Sequence, residues 1–288
     1  MKNQTIAVVG STGKTGSRVL SQLQCLGYAT RALSRCSTSV FDWSDRSTWS
    51  KALEGAVSTY VSYFPDLAVP QSEDDIRAFV DVAKTQGVKH IVLLSGRGEE
   101  GAEKAERVVQ DSGLDWNIIR ASWFMQNFSE SFMLDGLKAG ELLLPESKAD
   151  EPFIDVDDIA EVAVAALIRS ELRNQLLEVT GPELLSFKVC VDSIAKASGR
   201  NIGFQEVPID DYLVAAREQG LTEDMAWLIR ELFVEVLDGR NASMTDTIEQ
   251  VLGRPAKSFE DYVRTTAKQA VWSAPETQAS EEFERGLS

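Results

Sequence analysis

The sequence contains little histidine and little cysteine. His90 is the single histidine, and the cysteines are Cys25, Cys36 and Cys190. Because His90 stands directly before the apolar run 91–94, at the entrance of a predicted strand, we expect it to have a structural role. That leaves no histidine for a Ser/His/Asp triad or a histidine-rich metal site. The cysteines lack metal or redox spacing, and their odd number argues against a disulfide framework, so no metal centre is expected.

Positive charge and long apolar runs are also scarce. The chain of 288 residues has 29 Lys and Arg against 45 Asp and Glu, a formal net charge of −16, and no basic patch, so nucleic acid is not an expected partner. No apolar run approaches the ~20 residues that span a bilayer, and no cationic segment precedes a signal-type apolar stretch. We therefore expect no membrane partner and a cytoplasmic location. A hydrophobic content of 43% suits one large or two small globular domains.

A glycine-spaced turn near residue 10 is the strongest functional signal. The apolar run 6–9 leads into Gly10, Gly13 and Gly16, and a helical pattern begins at Val19. Such a turn binds dinucleotide phosphates in Rossmann folds, because its glycines admit the pyrophosphate and the helix N-terminus offers free N–H groups. A turn without a ligand is the alternative, and the pattern does not match a P-loop. The predicted cofactor contacts in this turn are Gly10, Ser11, Thr12, Gly13, Lys14, Thr15 and Gly16.

The rest of the chain predicts an α/β fold. Apolar runs alternate with helical patterns for about 170 residues, which is typical of a Rossmann doubly wound parallel sheet. We expect a nucleotide-binding core at 1–128 and a mixed part at 129–272, which adds returning strands and a smaller helix-rich C-terminal substrate lobe. A flexible acidic tail is expected at 273–288. Strands are predicted near residues 28–33, 40–43, 57–64, 88–94, 115–120, 141–144, 152–155 and 176–179, and helices include 46–53, 132–137, 187–197 and 225–237.

Two charged residues follow the predicted second and third strands. Many NAD-binding folds have an acid after the second strand to bind the ribose 2′-hydroxyl, whereas this chain has Arg35, which suits a 2′-phosphate. NADPH is thus the predicted cofactor, with NADH possible; an exposed surface cation is the alternative role of Arg35. The link from Arg35 to the third strand is too short for a crossover helix. Asp42, at the end of that strand, is predicted to bind the adenine amino group or else to cap the next helix.

Several segments resemble a known family. The glycine turn, Phe41-Asp42-Trp43-Ser44-Asp45, the run 88–95 and the run 112–128 are similar to the NmrA-like atypical short-chain dehydrogenase/reductases. The resemblance covers residues 5 to about 270. The short link before Phe41 and the segment 123–128 are most similar to the festuclavine (agroclavine) dehydrogenase type of ergot-alkaloid reductases and their bacterial relatives. This resemblance implies an NADP(H)-dependent reductase that acts on a small molecule.

The chain departs from ordinary short-chain dehydrogenases after Ser95. Those enzymes use Ser with Tyr-x-x-x-Lys, in which the tyrosine donates a proton, but no tyrosine occurs at 96–107. Ser95 is the predicted catalytic residue and a predicted contact of the nicotinamide ribose. Hydride addition to an iminium or a quinone gives a neutral amine or a stabilised phenolate, so such acceptors need no strong acid. We therefore expect an imine, iminium, quinone or conjugated acceptor.

The predicted substrate pocket lies beside the nicotinamide site. Aromatic side chains and one amide follow the sixth strand, where a substrate pocket needs apolar walls and a few oriented polar groups. Core packing is the alternative for Trp123 and Phe128. The rival function is a non-catalytic redox sensor, as in NmrA itself, which binds the dinucleotide and acts through a protein partner. The pocket candidates are Tyr63, Trp123, Phe124, Asn127, Phe128 and Phe153, and Tyr63 is also a predicted cofactor contact.

Overall fold

The strands assemble into two parallel sheets. A computed structural model describes residues 4–147 and 149–274, and the tail predicted at 273–288 lies almost wholly outside the described residues. The larger sheet has seven strands in the order β3-β2-β1-β4-β5-β6-β8, and the smaller sheet pairs β7 with β9. The strands are β1 (Thr5–Val9), β2 (Thr30–Ser34), β3 (Ser39–Val40), β4 (Ala56–Val61), β5 (His90–Gly96), β6 (Asp115–Ala121), β7 (Glu141–Pro145), β8 (Gln175–Val179) and β9 (Gly203–Val207).

Helices cover both faces of the large sheet. The pair α3 and α4 packs on one face and the pair α1 and α6 on the other, each over its own apolar core. The predicted doubly wound Rossmann-type sheet is therefore confirmed. The helices are α1 (Lys14–Cys25), α2 (Trp49–Leu53), α3 (Ser72–Thr85), α4 (Glu100–Gln110), α5 (Met133–Ala139), α6 (Val156–Ile168), α7 (Phe187–Ser198), α8 (Ile209–Glu218), α9 (Glu223–Arg230), α10 (Thr247–Leu252) and α11 (Phe259–Lys268).

A third apolar core lies in the part of the structure that we call the lobe, which comprises β7, β9, α5, α7, α8, α9, the helical segment Glu231–Val236 and α11. Phe128, Phe153, Phe187 and Phe259 form its aromatic centre, with the rings of Phe153 and Phe187 5.2 Å apart. Edge-to-face arrangements of this kind stabilise aromatic pairs beyond the apolar area that they bury. The lobe therefore has its own packing and stands beside the carboxyl edge of the sheet.

Three predicted elements differ from those observed. The third strand was expected at 40–43, but Phe41 and Trp43 leave the sheet to join an aromatic cluster with Trp49. The expected strand 152–155 was wrong: only Ile154 forms a single bridge, because Pro152 has no N–H and Asp155 already caps α6. The helix expected at 225–237 is α9 followed by a π-helical segment, Glu231–Val236.

Glu151 joins the lobe to the loop after β6. Its backbone pairs with that of Leu185, and its carboxylate accepts a hydrogen bond from the Trp123 N–H at 3.3 Å. The residue is only 2% exposed. Burial raises the pKa of Glu151 to about 7, although the Trp123 N–H and the charge of Arg97 act in the opposite direction. The folded protein therefore holds a proton here that the unfolded chain would release at lower pH.

This proton makes folding stability depend on pH. Because the folded pKa of Glu151 lies above its ordinary value, its carboxyl costs stability as pH rises through the window between the two values. Glu151→Gln keeps the oxygen that accepts from Trp123 and removes the ionisation. We expect the unfolding free energy of the variant, relative to wild type, to improve by about 1–3 kcal/mol between about pH 5 and about pH 8. Urea titrations of both proteins at the two pH values measure this difference in unfolding free energy. If the difference is the same at both pH values, Glu151 does not have the raised pKa.

Candidate functional site

A cleft of about 790 Å³ opens along the carboxyl edge of the large sheet. The ends of β1, β4, β5 and β6 lie side by side there, since these strands are consecutive neighbours in a parallel sheet. Ligands bind at this edge in doubly wound folds. The lobe supplies the opposite wall through α8, α9 and the π-helical segment. The cleft thus lies between the sheet and the lobe.

The glycine turn reaches the cleft with only part of its length: Thr12, Gly13, Lys14 and Thr15 line it, whereas Gly10, Ser11 and Gly16 do not. Gly10 has a φ of +77°, a conformation that suits glycine. A Cβ atom added to Gly16 would lie 2.2 Å from the carbonyl oxygen of Gly10, so only glycine lets α1 begin this close to β1. Ser11 behind the turn is buried, and its hydroxyl has no partner among the described residues.

The N-terminus of α1 is open to the cleft. Gly13 is the N-cap and has no side chain to bond the first N–H groups, and the first turn contains no acidic residue. Thr12, Gly13, Lys14 and Thr15 all line the cleft. Free N–H groups and the positive end of the helix dipole favour an anion at this point. The turn therefore fits a dinucleotide pyrophosphate.

Lys14 links the turn to the predicted pocket loop. Its Nζ donates to Oδ1 of Asn127 at 3.4 Å, and both residues line the cleft. Burial lowers the pKa of Lys14, whereas Glu130 raises it and the neighbouring charge of Arg18 lowers it further. This contact holds the amide of Asn127 next to the N-terminus of α1.

Arg35 and Asp42 lie outside the lining of the cleft. Arg35 is exposed, and its guanidinium carbon stands 5.5 Å from the ring centre of Phe64, which does line the cleft. Asp42 accepts hydrogen bonds from the N–H of Ser44 at 3.0 Å and from its hydroxyl at 2.8 Å. These bonds lower the pKa of Asp42, and Arg35 lowers it slightly more against the effect of burial. The next helical turn is capped by Asp45, not by Asp42.

Tyr63 and Ser95 line the cleft, but acids bind their hydroxyl groups. Tyr63 donates to Oδ2 of Asp75 at 2.7 Å, and Ser95 donates to Oε1 of Glu106 at 2.6 Å. Arg120 bonds the same carboxylate of Glu106. Burial and the bond to Asp75 raise the pKa of Tyr63. Neither hydroxyl proton is directed at the cleft in this arrangement.

The six pocket candidates divide between the cleft and the lobe core. Trp123 and Phe124 line the cleft, as do Tyr63 and Asn127, and the Trp123 ring packs 5.3 Å from that of Phe233. Phe128 and Phe153 are 0% and 1% exposed in the lobe core and do not line the cleft. The segment 123–128 thus alternates between the two environments.

Other cleft residues were missed from the sequence. Asp66 and Glu99 line the cleft on the sheet side, and Tyr212 and Met225 line it from the lobe. The acids could have been noticed because one follows β4 and the other follows β5, both at the ligand-binding edge. No pattern in the sequence indicated the lobe residues, since their contact with the sheet is set by tertiary packing.

The described residues contain neither a helix that could span a membrane nor a cluster of metal-binding side chains. No helix within 4–147 and 149–274 is long and apolar enough to cross a membrane. In the same ranges no group of three or more His, Cys, Asp or Glu side chains could hold a metal ion. His90 is buried and bonds Oδ1 of Asn117 at 3.0 Å, away from the cleft lining.

Curated relatives match almost the full chain. Prestalk A differentiation protein A of Dictyostelium discoideum is 28% identical over 91% of this chain and 92% of its own. The NAD(P)H azoreductase of Xenophilus azovorans is 29% identical, with 91% and 98% covered. Agroclavine dehydrogenase of Claviceps fusiformis is 27% identical, with 90% and 96% covered. This last similarity agrees with the resemblance noted from the motifs.

Solved structures share the fold. An NADPH-dependent quinone oxidoreductase of Escherichia coli in complex with NADPH has a TM-score of 0.73 at 19% identity, covering 91% of this chain and 99% of that one. The negative transcriptional regulator NmrA in complex with NAD has a TM-score of 0.67 at 16% identity, with 100% and 99% covered. The model of the NmrA-like family matches residues 2–263. The resemblance read from the sequence is therefore confirmed, and the chain belongs to the NmrA-like family.

Proposed function

We propose that this protein is an NAD(P)H-dependent reductase that delivers hydride to a small imine, iminium, quinone or conjugated acceptor, with NADPH as the preferred cofactor and NADH possible. The observation that carries the proposal is the uncapped N-terminus of α1, which opens into the same cleft as the aromatic residues Trp123 and Phe124. A dinucleotide bound at the first would extend toward the second. Relatives named as an azoreductase and a dehydrogenase support an enzyme.

The chain offers separate groups for each part of the dinucleotide. The N–H groups at 12–15 would bind the pyrophosphate, and the Arg35 guanidinium would pair with a 2′-phosphate beside the exposed ring of Phe64. The bound cofactor would supply hydride. The protein would orient the cofactor along the strand ends, and the lobe would exclude water from the cleft.

The acceptor half of the cleft favours a flat, apolar molecule. Trp123, Phe124, Met225 and Phe233 line it, and Asn127, held by Lys14, is the polar group that could fix the orientation of an acceptor heteroatom. Aromatic walls of this kind suit a conjugated ring. The sequence lacks Tyr-x-x-x-Lys after Ser95, and the Ser95 hydroxyl bonds Glu106, so reduction of a simple ketone through that serine is disfavoured.

A redox sensor is the second candidate. It is favoured by the likeness to NmrA in its complex with NAD, together with the engaged hydroxyl groups of Tyr63 and Ser95. Such a protein would act through a protein partner. The apolar chamber beyond the glycine turn argues for the reductase, because a sensor that reads only the dinucleotide needs no acceptor space there.

Turnover separates the two candidates. The wild-type protein is mixed with NADPH and, in turn, with a quinone, an enone, a cyclic imine and an N-alkylated iminium ion, while the loss of NADPH absorbance is followed. We expect reduction of at least one class, because the aromatic walls suit conjugated acceptors. Tight NADPH binding by calorimetry with no turnover across the panel would contradict the reductase and favour the sensor.

Arg35 decides the choice of cofactor. Arg35→Ala removes a charge-assisted contact to the 2′-phosphate, so we expect the NADPH dissociation constant to rise about tenfold and that of NADH to change less than about twofold. Arg77→Ala, which removes an exposed arginine paired with Glu73 on α3, is the matched control and should alter neither constant. Equal weakening of both cofactors by Arg35→Ala would reject the 2′-phosphate role.

A further inference from the structure

The carboxyl groups of Asp66 and Glu99 lie in the wall of the cleft and have no part in the function proposed above. Asp66 belongs to the loop after β4, and Glu99 immediately precedes α4 at the end of β5. Both line the cleft. Glu99 occupies the N-cap position of α4 but makes no capping bond, so its side chain is not used to complete the helix. Its position needs another explanation.

Two glycines allow the acids to approach. A Cβ atom on Gly96 would lie 1.9 Å from Oε1 of Glu99, so the carboxyl occupies the space that any other residue would fill. A Cβ on Gly101 would lie 2.2 Å from the carbonyl oxygen of Ala68, so the start of α4 rests directly on the Asp66 loop. Substitution of either glycine would move backbone or carboxyl. The pair is therefore built into the local geometry.

The surroundings of Glu99 keep it protonated. The residue is 7% exposed, and its Oε2 receives no hydrogen bond from the described residues. Burial raises the pKa of Glu99 well above its ordinary value, and the acids Asp66, Glu106 and Glu231 raise it further. A side-chain hydrogen bond and mutual charge repulsion link the two carboxyls, so both cannot be ionised at low cost and they share a proton.

Asp66 is the partner that carries the negative charge. Its Oδ1 accepts the N–H of Ala68 at 2.8 Å, which favours its ionised form. Burial raises the pKa of Asp66 above its ordinary value although the bonds from Ala68 and Glu99 act in the opposite direction, and this rise is smaller than that of Glu99. The proton thus resides mainly on Glu99, within reach of a partly exposed carboxylate that also faces the cleft.

We propose that Asp66 and Glu99 hold one proton between them and deliver it to the acceptor as it is reduced. The inference rests on the proposed reductase function, which supplies the hydride. In the step, the hydride brings two electrons and a hydrogen to the acceptor, an O–H bond of the carboxyl pair breaks, and an O–H or N–H bond forms at the acceptor heteroatom. The pair, then ionised on both carboxyls, regains a proton from water at the mouth of the cleft. It replaces the tyrosine that this chain lacks.

A comparison of two acceptors tests the proposal. Hydride addition to a quinone places negative charge on an oxygen, so a proton donor at that oxygen stabilises the product, whereas an N-alkylated iminium ion becomes a neutral amine and gains nothing from a donor. Glu99→Gln removes the proton but keeps an amide that can donate to Asp66. We expect it to lower kcat for the quinone by about 10²-fold, with little change in KM, and to leave kcat for the iminium ion within about twofold of wild type. Glu100→Gln, an exposed acid at the next position, should alter neither rate.

The pH profile and the infrared spectrum give independent readouts. Because the protonated pair is the active form, wild-type kcat for the quinone should fall as pH rises through ionisation of the pair, and this dependence should vanish in Glu99→Gln. In the protein without cofactor at neutral pH, the difference spectrum between wild type and Glu99→Gln should contain a protonated-carboxyl C=O band, since the Glu151 band is common to both proteins and cancels. That measurement needs no turnover.

Other outcomes would overturn the proposal. Equal losses on both acceptors would make the pair structural, and a change in KM alone would make it a binding group for cationic acceptors. Tyr212 also lines the cleft and keeps its proton, since burial raises the pKa of its hydroxyl; a quinone-specific loss in Tyr212→Phe but not in Glu99→Gln would transfer the role to it. If wild type reduces neither acceptor, the proposed function fails, and absence of the infrared band would reject the shared proton independently.

Discussion

The contact of Gly16 with the carbonyl of Gly10 is the constraint on which the cleft depends. It sets the start of α1 against the end of β1 with no room for a side chain. Because α1 begins there, its free N–H groups face the edge where β4, β5 and β6 also end. The proposed pyrophosphate site is therefore a product of backbone packing.

The second half of the cleft depends on how the lobe is attached. Arg97, which follows β5, bonds Glu178 of β8 at 2.7 Å and the carbonyl oxygens of Asn241 and Ser243 at 2.6 and 2.7 Å. One buried guanidinium thus ties the sheet to the segment after the π-helix. Breaking such a network would leave carbonyl groups without partners, which is costly in a dry interior. These bonds consequently fix the position of the lobe wall relative to the strand ends.

Local patterns predicted the sheet and the glycine turn well, because both depend on residues that are close together in the sequence. The helix predicted at 187–197 is observed as α7, which begins after the Ser186 cap and ends at Gly199 in the left-handed conformation. The separation of Trp123 from Phe128 could not be predicted. It depends on which side chain the lobe helices cover, and those helices are distant in sequence. The Asp66–Glu99 pair escaped detection for the same reason, since 33 positions separate two acids that only the parallel strand ends bring together.

The two walls of the cleft belong to different parts of the fold, one to the central sheet and the other to the lobe. The nucleotide wall consists of strand ends and a glycine turn, where a substitution disturbs the central sheet. The facing wall includes Tyr212, Met225 and Phe233 on α8, α9 and the π-helical segment. Phe233 packs in the lobe core, whereas Leu228 of α9 packs in the core against the sheet. Mutations in that wall can change its shape and polarity while the hydride-delivering side stays intact. The shape of the facing wall can therefore vary on an unchanged sheet, so the fold alone does not fix which small molecule the cleft accepts.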